Sequence, residues 1–159
     1  MIKVGLGYDI HRLEEGRPLY LGGILIPYPR GLSGHSDGDC LIHAVIDALS
    51  GAAGLPDIGR QFPDSSEKFR GIRSTLLLEK VSARLKGGGA MILNIDSVVI
   101  AERPHLGRRI PEMQDLLAKI LGITPAAISI KAKTNEGLGE IGREEAIAAW
   151  VVALLQSSG

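Results

Sequence analysis

The sequence has little cysteine, few aromatic residues and no excess of charge of either sign. Its single cysteine among 159 residues excludes an intrachain disulfide and favours a reducing compartment. Lysine plus arginine and aspartate plus glutamate both total 18, so the chain lacks the broad basic field of proteins that bind nucleic acid or anionic membranes. Aromatic residues make up only 4%, and the core must therefore pack mainly from leucine, isoleucine, valine and alanine. We expect no nucleic-acid partner and no membrane partner.

Long hydrophobic runs are also missing. The longest run, at residues 146–155, has about half the length that crosses a bilayer. Residues 1–4 lead directly into strand-like sequence, without the basic and apolar segments of a signal peptide, so we expect a cytoplasmic protein. The hydrophobic fraction of 45% excludes a disordered chain, and without repeats or long linkers the chain is expected to form a single domain over residues 1–159.

Strand-like and helix-like segments alternate along the chain. Ser36 is expected to cap the first helix, with Asp39 reaching back to it in a variant of the capping box. Together the elements predict an α+β fold, or a two-layer α/β fold, in which helices cover a mixed sheet. The patterns predict strands at 2–8, 19–26, 91–101 and 128–134, helices at 37–49, 72–85, 110–121 and 143–156, and a long loop over 51–71.

Three side chains form a candidate set of metal ligands. Asp9 and His11 are two residues apart in a predicted strand, so both leave the same face. His43, on the polar stripe of the first predicted helix, is the best third ligand. One carboxylate and two imidazoles suit Zn²⁺ with a fourth position open for substrate. Two alternatives stay open: the three residues are only hydrogen-bonded polar groups, or Cys40, on the same helix face, is a ligand rather than a buried apolar group.

Three further segments carry polar groups suited to a phosphorylated ligand. Residues 34–39 place His35 and Ser36 at a predicted helix N-terminus, where unpaired N–H groups favour an anion, although simple capping would also explain Ser36. Residues 57–66 offer two carboxylates and a glycine, or are a solvated turn. Residues 131–139 end a strand with donors, a hydroxyl and a carboxylate, which suits a polyphosphate with a second, harder cation.

The order of these segments closely resembles the 2-C-methyl-D-erythritol 2,4-cyclodiphosphate synthase family. An Asp-x-His upstream of His-Ser-Asp-Gly-Asp, with a further histidine four residues downstream, is a highly specific pattern, and the resemblance covers nearly the whole chain. It favours the metal interpretation of the three ligands over the hydrogen-bonding one. The matching segments are Gly-Tyr-Asp9-Ile-His11, His35-Ser-Asp-Gly-Asp39, His43, Asp57-Ile-Gly59, Phe62-Pro-Asp64, Lys-Thr134-Asn-Glu136-Gly-Leu-Gly139 and Gly142-Arg143.

The resemblance implies an assembly and a reaction. It implies a homotrimer in which each subunit has a mixed four-stranded sheet with helices on one face, and in which neighbouring subunits share active sites. The implied substrate is 4-diphosphocytidyl-2-C-methyl-D-erythritol 2-phosphate, from the non-mevalonate route to isoprenoids. Its 2-phosphate attacks the β-phosphorus, a cyclodiphosphate forms and cytidine monophosphate (CMP) leaves, which makes the enzyme a phosphorus–oxygen lyase. Any association with other enzymes of the pathway would be non-covalent.

The resemblance also implies roles for individual residues. Asp9, His11 and His43 would bind Zn²⁺. Glu136 would hold Mg²⁺ or Mn²⁺ through the diphosphate, and His35 and Thr134 would stabilise the transition state. The implied substrate-binding residues are Asp9, Ile10, His11, His35, Ser36, Asp57, Ile58 and Gly59, the closing loop Phe62, Pro63, Asp64, Ser65 and Ser66, a neighbour's cytidine pocket of Ala101, Glu102, Arg103, Pro104, His105, Leu106, Gly107, Lys133, Thr134, Asn135 and Glu136, and the axial Glu140 and Arg143.

Three positions depart from the family pattern. His105 stands where a lysine is usual, and Cys40 stands where a small aliphatic residue is usual. Glu140 replaces a common phenylalanine beside the trimer axis, where several family members hold an isoprenoid diphosphate with the arginine that matches Arg143. Three copies of Glu140 would repel such an anion unless Arg143 neutralises them. We therefore expect weak or absent binding of isoprenoid diphosphates.

Two other function classes remain open at the level of sequence. A zinc-dependent phosphohydrolase could use the same ligands, but it would need a base to activate water, and Asp57 is the one obvious candidate. A non-catalytic trimeric isoprenoid-binding protein is the second alternative. The intact metal ligands, together with His35, Thr134 and Glu136, argue against it because a binding protein needs none of them.

Overall fold

The main sheet has five strands, with three longer helices packed on one of its faces. The computed structural model describes residues 1–157. The strand order is β4-β1-β7-β5-β6, in which only β5 and β6 are parallel, and β2 and β3 form a separate hairpin. In chain order the elements are β1 (Ile2–Glu15), β2 (Leu19–Leu21), β3 (Ile24–Ile26), β4 (Arg30–Leu32), α1 (Cys40–Ala53), α2 (Ile58–Gln61), α3 (Ser74–Gly87), β5 (Ala90–Ile100), α4 (Ile110–Leu121), β6 (Ile128–Lys133), α5 (Gly139–Gly142) and β7 (Ala146–Ser157).

The α+β class and the mixed, one-sided sheet are therefore confirmed. Four long strands form the body of the sheet, and the three-residue β4 adds a fifth at the edge of β1. No helix within residues 1–157 is long and apolar enough to cross a membrane.

Helix α1 lies directly against β1 because two glycines leave room for it. A Cβ atom at Gly5 would stand 1.9 Å from the carbonyl oxygen of Ala48, and one at Gly7 would stand 1.9 Å from that of Ala44. Since both clashes are with helix backbone, a larger residue at either position would push α1 away from the sheet. This close approach brings the side chains of α1 up to those on the same face of β1.

The C-terminal segment is a strand, so the helix predicted over residues 143–156 is wrong. β7 lies in the middle of the sheet between β1 and β5. Its alanines favour a helix in isolation, but Ala149 and Ala153 serve here as small side chains beneath α1, and Ala146 and Ala148 pack with Ile141 on the other face. Trp150 and Val152 are exposed while Val151 and Ala153 are buried, which is the period-two alternation of a strand. Tertiary packing overrides local propensity in this segment.

Several element boundaries also differ from the predictions. β1 continues to Glu15, and the strand predicted over 19–26 is divided into the β2–β3 hairpin. The loop predicted over 51–71 contains the end of α1 and the short helix α2. Ser36 is not the cap of α1, because the helix begins later, at Cys40, and Asp39 accepts the N–H of Ile42 as its N-cap.

Asp39 ties α1 to the β2–β3 hairpin. Its fully buried carboxylate accepts the backbone N–H groups of Ile42 (3.0 Å), Gly22 (3.0 Å) and Gly23 (2.7 Å). Burial, and then the charge of Asp37, raise the pKa of Asp39 above its ordinary value, while the N–H groups favour the ionised form. The carboxylate is therefore a structural centre of the polar layer beneath the hairpin.

Replacing Asp39 with alanine should destabilise the protein by about 3–5 kcal/mol, because three buried N–H groups lose the carboxylate that accepts their hydrogen bonds. Urea denaturation followed by circular dichroism measures the difference in unfolding free energy. Thr124→Ala removes an exposed cap, that of the turn at Pro125–Ala127, and should cost no more than about 1 kcal/mol. Equal effects of the two substitutions would show that Asp39 does not have this role.

The face of the sheet opposite the helices is apolar and exposed. Along β1 every second side chain points to this face, and Tyr8 contacts Trp150 of β7 with ring centroids 4.5 Å apart. Monomeric proteins rarely leave an apolar surface of this extent in water. The exposed members of this apolar face are Ile2, Val4, Leu6, Tyr8 and Ile10 of β1, Met91 of β5, and Trp150 and Val152 of β7.

Candidate active site and metal centre

Asp9, His11 and His43 meet where α1 approaches β1. Asp9 Oδ2 lies 2.8 Å from His11 Nε2 and 3.1 Å from His43 Nδ1, and the two imidazole nitrogens are 3.2 Å apart. Within residues 1–157, these three are the group of side chains able to hold a metal ion between them. Their convergence comes from the period-two spacing on β1 and the glycine contacts that seat α1.

The ligand atoms suit a tetrahedral metal ion. A Zn²⁺ ion with bonds of about 2.0–2.1 Å requires ligand atoms about 3.3 Å apart, close to the observed triangle. His11 Nδ1 donates to the carbonyl of Ser33, so Nε2, which faces Asp9, carries the lone pair when the imidazole is neutral. His43 turns Nε2 toward the hydroxyls of Ser36 and Ser74 and Nδ1 toward Asp9. The three residues therefore fit a divalent cation with one position left for a ligand.

The same geometry shifts the pKa values of two members of the set. Burial is the largest influence and disfavours charge on each, raising the pKa of Asp9 and lowering that of His11. The hydrogen bonds and charge attraction between Asp9 and the imidazoles outweigh it, so the pKa of Asp9 ends below its ordinary value and that of His11 above it. The pocket between them favours positive charge.

Cys40 belongs to the core rather than to this group. Its side chain is fully buried among apolar residues of α1 and its neighbours. Burial raises the pKa of its thiol well above the usual range, which keeps the sulfur protonated and unsuited to bind a metal.

A cavity of about 230 Å³ opens beside the three ligands. It joins the metal group to most of the residues predicted to hold the 2-phosphate and erythritol end of a substrate. Three hydrophobic side chains, Phe69, Ile72 and Leu77, complete a wall that the sequence had not indicated. The predicted site residues on its lining are Asp9, His11, His35, Ser36, His43, Ile58, Gly59, Phe62 and Asp64.

Segment 57–66 is not merely a solvated turn, because α2 is anchored to α1. Asp57 caps α2 by accepting the N–H of Arg60, and the N–H of Ile58 donates to Asp47 of α1 over 2.8 Å. The Gln61 amide donates to Ser50, also on α1, over 2.8 Å. The sequence pattern placed Asp47 and Ser50 on the polar stripe of the first predicted helix but gave no sign of these contacts, each of which joins residues eleven apart in the chain.

The remaining predicted residues of this end, Ile10, Asp57, Pro63, Ser65 and Ser66, are not part of the cavity lining. Pro63, Ser65 and Ser66 follow α2, and the carbonyl of Ser66 lies 3.2 Å from His35 Nε2. Ile10 is on the opposite face of β1 from Asp9 and His11, so only its backbone can face the cavity.

A second group of predicted residues lies apart from this cavity. Residues 101–107 follow β5 and residues 134–136 follow β6; because these strands are parallel, both loops leave the same edge of the sheet. Glu102 accepts the N–H of Asn135 over 3.1 Å and so connects the two loops, a role that was not predicted. None of this group lines the first cavity within the described residues 1–157. Its members are Ala101, Glu102, Arg103, Pro104, His105, Leu106, Gly107, Lys133, Thr134, Asn135 and Glu136.

Arg143 lies beside two carboxylates on the short stretch around α5. Its guanidinium contacts both oxygens of Glu145, at 3.0 and 3.4 Å, and lies 3.9 Å from Glu140. The bonds to Glu145 raise the pKa of Arg143 and lower that of Glu145. Glu144, with a left-handed backbone at φ 61°, pairs instead with Arg30. The cation at this position is already balanced by acidic neighbours.

A family model and curated relatives both match this chain over almost its whole length. The family model described as the YgbB family matches residues 2–156. The chain belongs to the YgbB family. A curated relative from Pelotomaculum thermopropionicum, named 2-C-methyl-D-erythritol 2,4-cyclodiphosphate synthase, is 53% identical over 158 residues, covering 99% of this chain and 98% of the relative. The resemblance seen in the motifs is thereby confirmed.

Solved structures agree with this family assignment. One described as 2C-methyl-D-erythritol-2,4-cyclodiphosphate synthase in a CDP-bound form superposes with a TM-score of 0.89 at 42% identity, covering 97% of this chain and all of the other. The bifunctional IspDF from Campylobacter jejuni gives a TM-score of 0.95 at 40% identity. That match covers 99% of this YgbB-family chain and 43% of the bifunctional chain.

Proposed function

We propose that this protein converts 4-diphosphocytidyl-2-C-methyl-D-erythritol 2-phosphate to 2-C-methyl-D-erythritol 2,4-cyclodiphosphate and CMP, acting as a phosphorus–oxygen lyase of isoprenoid precursor synthesis. The observation that carries this proposal is the meeting of Asp9, His11 and His43 beside a cavity that also contains His35 and Ser36. Carboxylate and imidazole ligands next to phosphate-binding groups suit transfer of a phosphoryl group without a protein nucleophile. We place the reaction in the cytoplasm.

The protein's main task in such a reaction is to position two phosphates. Asp9, His11 and His43 would hold Zn²⁺, and Glu136 would help to hold Mg²⁺ or Mn²⁺ against the diphosphate. When bound, the two cations withdraw charge from the β-phosphate and stabilise the departing CMP. The 2-phosphate oxygen then bonds to the β-phosphorus as the bond from that phosphorus to the CMP oxygen breaks, so no water is consumed.

His35 and Ser36 supply donors for the attacking phosphate. Ser36 Oγ accepts the N–H of Gly38 at 3.3 Å and faces His43 Nε2 at 3.1 Å, so its own proton is available to a phosphate oxygen. His35 lines the same cavity and can donate to charge that develops on the equatorial oxygens. Thr134 would act in the same way from the second group of residues.

The anchored helix α2 would hold the erythritol part. Asp47 fixes the backbone at Ile58, and Gly59 presents no side chain to a ligand that enters the cavity. Asp57 would accept a hydroxyl of the erythritol. Its carboxylate is already engaged with the N–H of Arg60 and with the Arg60 guanidinium at 3.3 Å, which makes it a poor base for activating water. This geometry disfavours the phosphohydrolase alternative.

Two surfaces support the proposal of a homotrimer with shared sites. The apolar face of the sheet needs a partner, and copies of the same face can supply it. Within residues 1–157 of one chain, the second group of residues does not line the cavity beside the metal group. Both groups nevertheless lie toward the same end of the sheet, since Ile10 and Ile100 each pair with Ala148. A neighbour would bring its loops 101–107 and 133–136 to the metal group, so that cytidine and diphosphate are bound between subunits.

The proposed function is tested by ³¹P NMR of the protein incubated with the cytidine diphosphate substrate, Zn²⁺ and Mg²⁺. We expect the two coupled resonances of a cyclic diphosphate together with CMP, and loss of both when a chelator is present. Inorganic phosphate as the product would instead establish a hydrolase. An unchanged spectrum from a zinc-loaded trimer would establish a binding protein.

Isoprenoid diphosphates should bind weakly, because Arg143 is balanced by Glu145 and lies near Glu140. Titration with farnesyl diphosphate is expected to give no binding in the low-micromolar range. Glu140→Phe, which removes three negative charges from a trimer, should strengthen binding about tenfold or more. Low-micromolar affinity of the unchanged protein would contradict this expectation.

A further inference from the structure

Behind the metal group, His43 contacts the buried Ser74, which in turn contacts the buried Asp37, and the proposed chemistry gives neither residue a role. His43 Nε2 lies 2.9 Å from Oγ of Ser74, the first residue of α3, which is fully buried. The Ser74 hydroxyl in turn contacts Oδ1 of Asp37, which is 8% exposed. Asp37 Oδ2 accepts the backbone N–H of Ser74 at 2.9 Å and Nε of Arg73 at 3.1 Å.

The donors that surround the Asp37 carboxylate determine the direction of these hydrogen bonds. Three N–H donors, from Asp39, Arg73 and Ser74, converge on its two oxygens, which is the environment of a carboxylate that only accepts. The Ser74 proton must therefore point to Asp37. This leaves the Ser74 oxygen to accept a proton from His43, so the imidazole carries its proton on Nε2. Its Nδ1 then presents a lone pair toward Asp9 and His11.

We propose that Asp37 and Ser74 are positioning residues that fix the ring orientation and the tautomer of His43 for metal binding. A ring held with its proton on Nε2 offers Nδ1 to the metal without rearrangement. Without Ser74, Nε2 keeps the Ser36 hydroxyl at 3.1 Å, which can donate as well as accept. The ring then divides its population between two tautomers, one of which places a proton on the metal side. The inference rests on the proposed metal site and adds the residues that prepare one of its ligands.

Arg73 completes the arrangement by holding Asp37 from the other side. Its Nη2 donates to the carbonyl of Gly23 over 2.8 Å, and its guanidinium lies 3.8 Å from the ring centroid of Tyr20. The Asp37 carboxylate is thus fixed by Arg73 and Ser74, and Arg73 is fixed by the β2–β3 hairpin; none of these groups lines the cavity at the metal. The orientation of a metal ligand on α1 is in this way supported by the start of a different helix.

A purely structural role for Asp37 and Ser74 predicts a different effect on zinc affinity, because Asp37 also accepts the backbone N–H of Ser74, the first residue of α3. Ser74→Ala separates the two roles: it removes the hydroxyl between His43 and Asp37 but keeps the Ser74 backbone N–H that Asp37 accepts. Ser82→Ala is the matched control. It removes another buried hydroxyl of α3, one that contacts the carbonyl of Ile120 instead of a metal ligand.

Asp37→Asn should reverse the direction of the bonds. The asparagine oxygen is expected at the Oδ2 position, where two donors meet, which places its NH₂ group against the Ser74 hydroxyl. The Ser74 proton would then turn to His43 Nε2 and favour the tautomer protonated on Nδ1, the nitrogen that faces the metal. This variant should therefore bind zinc at least as weakly as Ser74→Ala.

The test is the zinc affinity of the full-length protein at fixed pH, measured by competition with a chromophoric chelator. We expect Ser74→Ala and Asp37→Asn to bind zinc about 10- to 100-fold more weakly than the unchanged protein, and Ser82→Ala to bind it equally well. Hydrogen-exchange NMR of the zinc-loaded protein should show a slowly exchanging proton on His43 Nε2, and faster exchange of that proton in Ser74→Ala.

The outcomes distinguish this inference from the proposed function. An unchanged protein that fails to bind zinc would overturn the proposed metal site itself. An unchanged protein that binds zinc tightly, with Ser74→Ala binding it equally tightly and showing the same slow exchange of the His43 Nε2 proton, would overturn only the positioning role. If Ser82→Ala lost as much affinity as Ser74→Ala, the effect would come from α3 as a whole, which would also overturn it.

Discussion

Replacing His43 with alanine is expected to remove zinc from the protein and to lower turnover by about a thousandfold, with the subunits still assembled. His43 supplies one of three ligand atoms within 3.2 Å of one another, and two ligands bind zinc far less tightly than three. Loss of a Lewis acid that contributes several kcal/mol to the transition state accounts for the fall in rate. Elemental analysis of the purified variant, together with a CMP-release assay, measures both effects.

His105→Ala is the matched control for zinc content. His105 is exposed, contacts Arg103 and lies in the second group of residues, away from Asp9 and His11. Its replacement should leave one zinc per chain. Full zinc occupancy of His43→Ala would refute the assignment of the metal site, and equal loss of zinc from His105→Ala would place the metal elsewhere.

Replacing Leu6 with glutamate is expected to separate the subunits and abolish activity while each chain still binds zinc. Leu6 lies in the middle of the apolar face and is 62% exposed in the single chain. A trimer built on this face would bury three unpaired carboxylates, each at a cost of several kcal/mol. The metal ligands all come from one chain, so zinc content should not change. Light scattering gives the mass of the assembly, and CMP release should fall at least about a hundredfold.

Leu76→Glu provides the comparison for assembly. Leu76 is also exposed, at 45%, but it lies on α3, on the other side of the sheet. Its replacement should leave the trimer intact. A Leu6→Glu variant that stays trimeric would show that the apolar face is not the interface. A monomeric Leu6→Glu variant with full activity would show that the active site does not need a neighbour.

The sequence allowed the fold class and the metal group to be predicted because both depend on local spacing. Asp9 and His11 share a face at any position in a strand, and His43 follows the pattern of its helix. The identity of β7 could not be read in the same way. Its alanine-rich run favours a helix in isolation, and only its place between β1 and β5 beneath α1 makes it a strand.

Contacts between distant residues were the other limit. Ser36 matched a helix cap in the local pattern, but Asp39 has that role because the same carboxylate also binds the hairpin at Gly22 and Gly23. Ser74 gave no signal, since its partner Asp37 is separated from it by 37 residues. Such pairings depend on how elements pack and are visible only in the folded chain.

The central claim is that the 2-phosphate of the substrate, rather than water, attacks the β-phosphorus in this site. The most direct test is to run the reaction in water enriched in oxygen-18 and to determine the masses of both products. An intramolecular attack predicts that neither the cyclic diphosphate nor CMP gains an oxygen atom from the solvent. Oxygen-18 in CMP, or in a linear erythritol phosphate, would show that water is the nucleophile and would contradict the account.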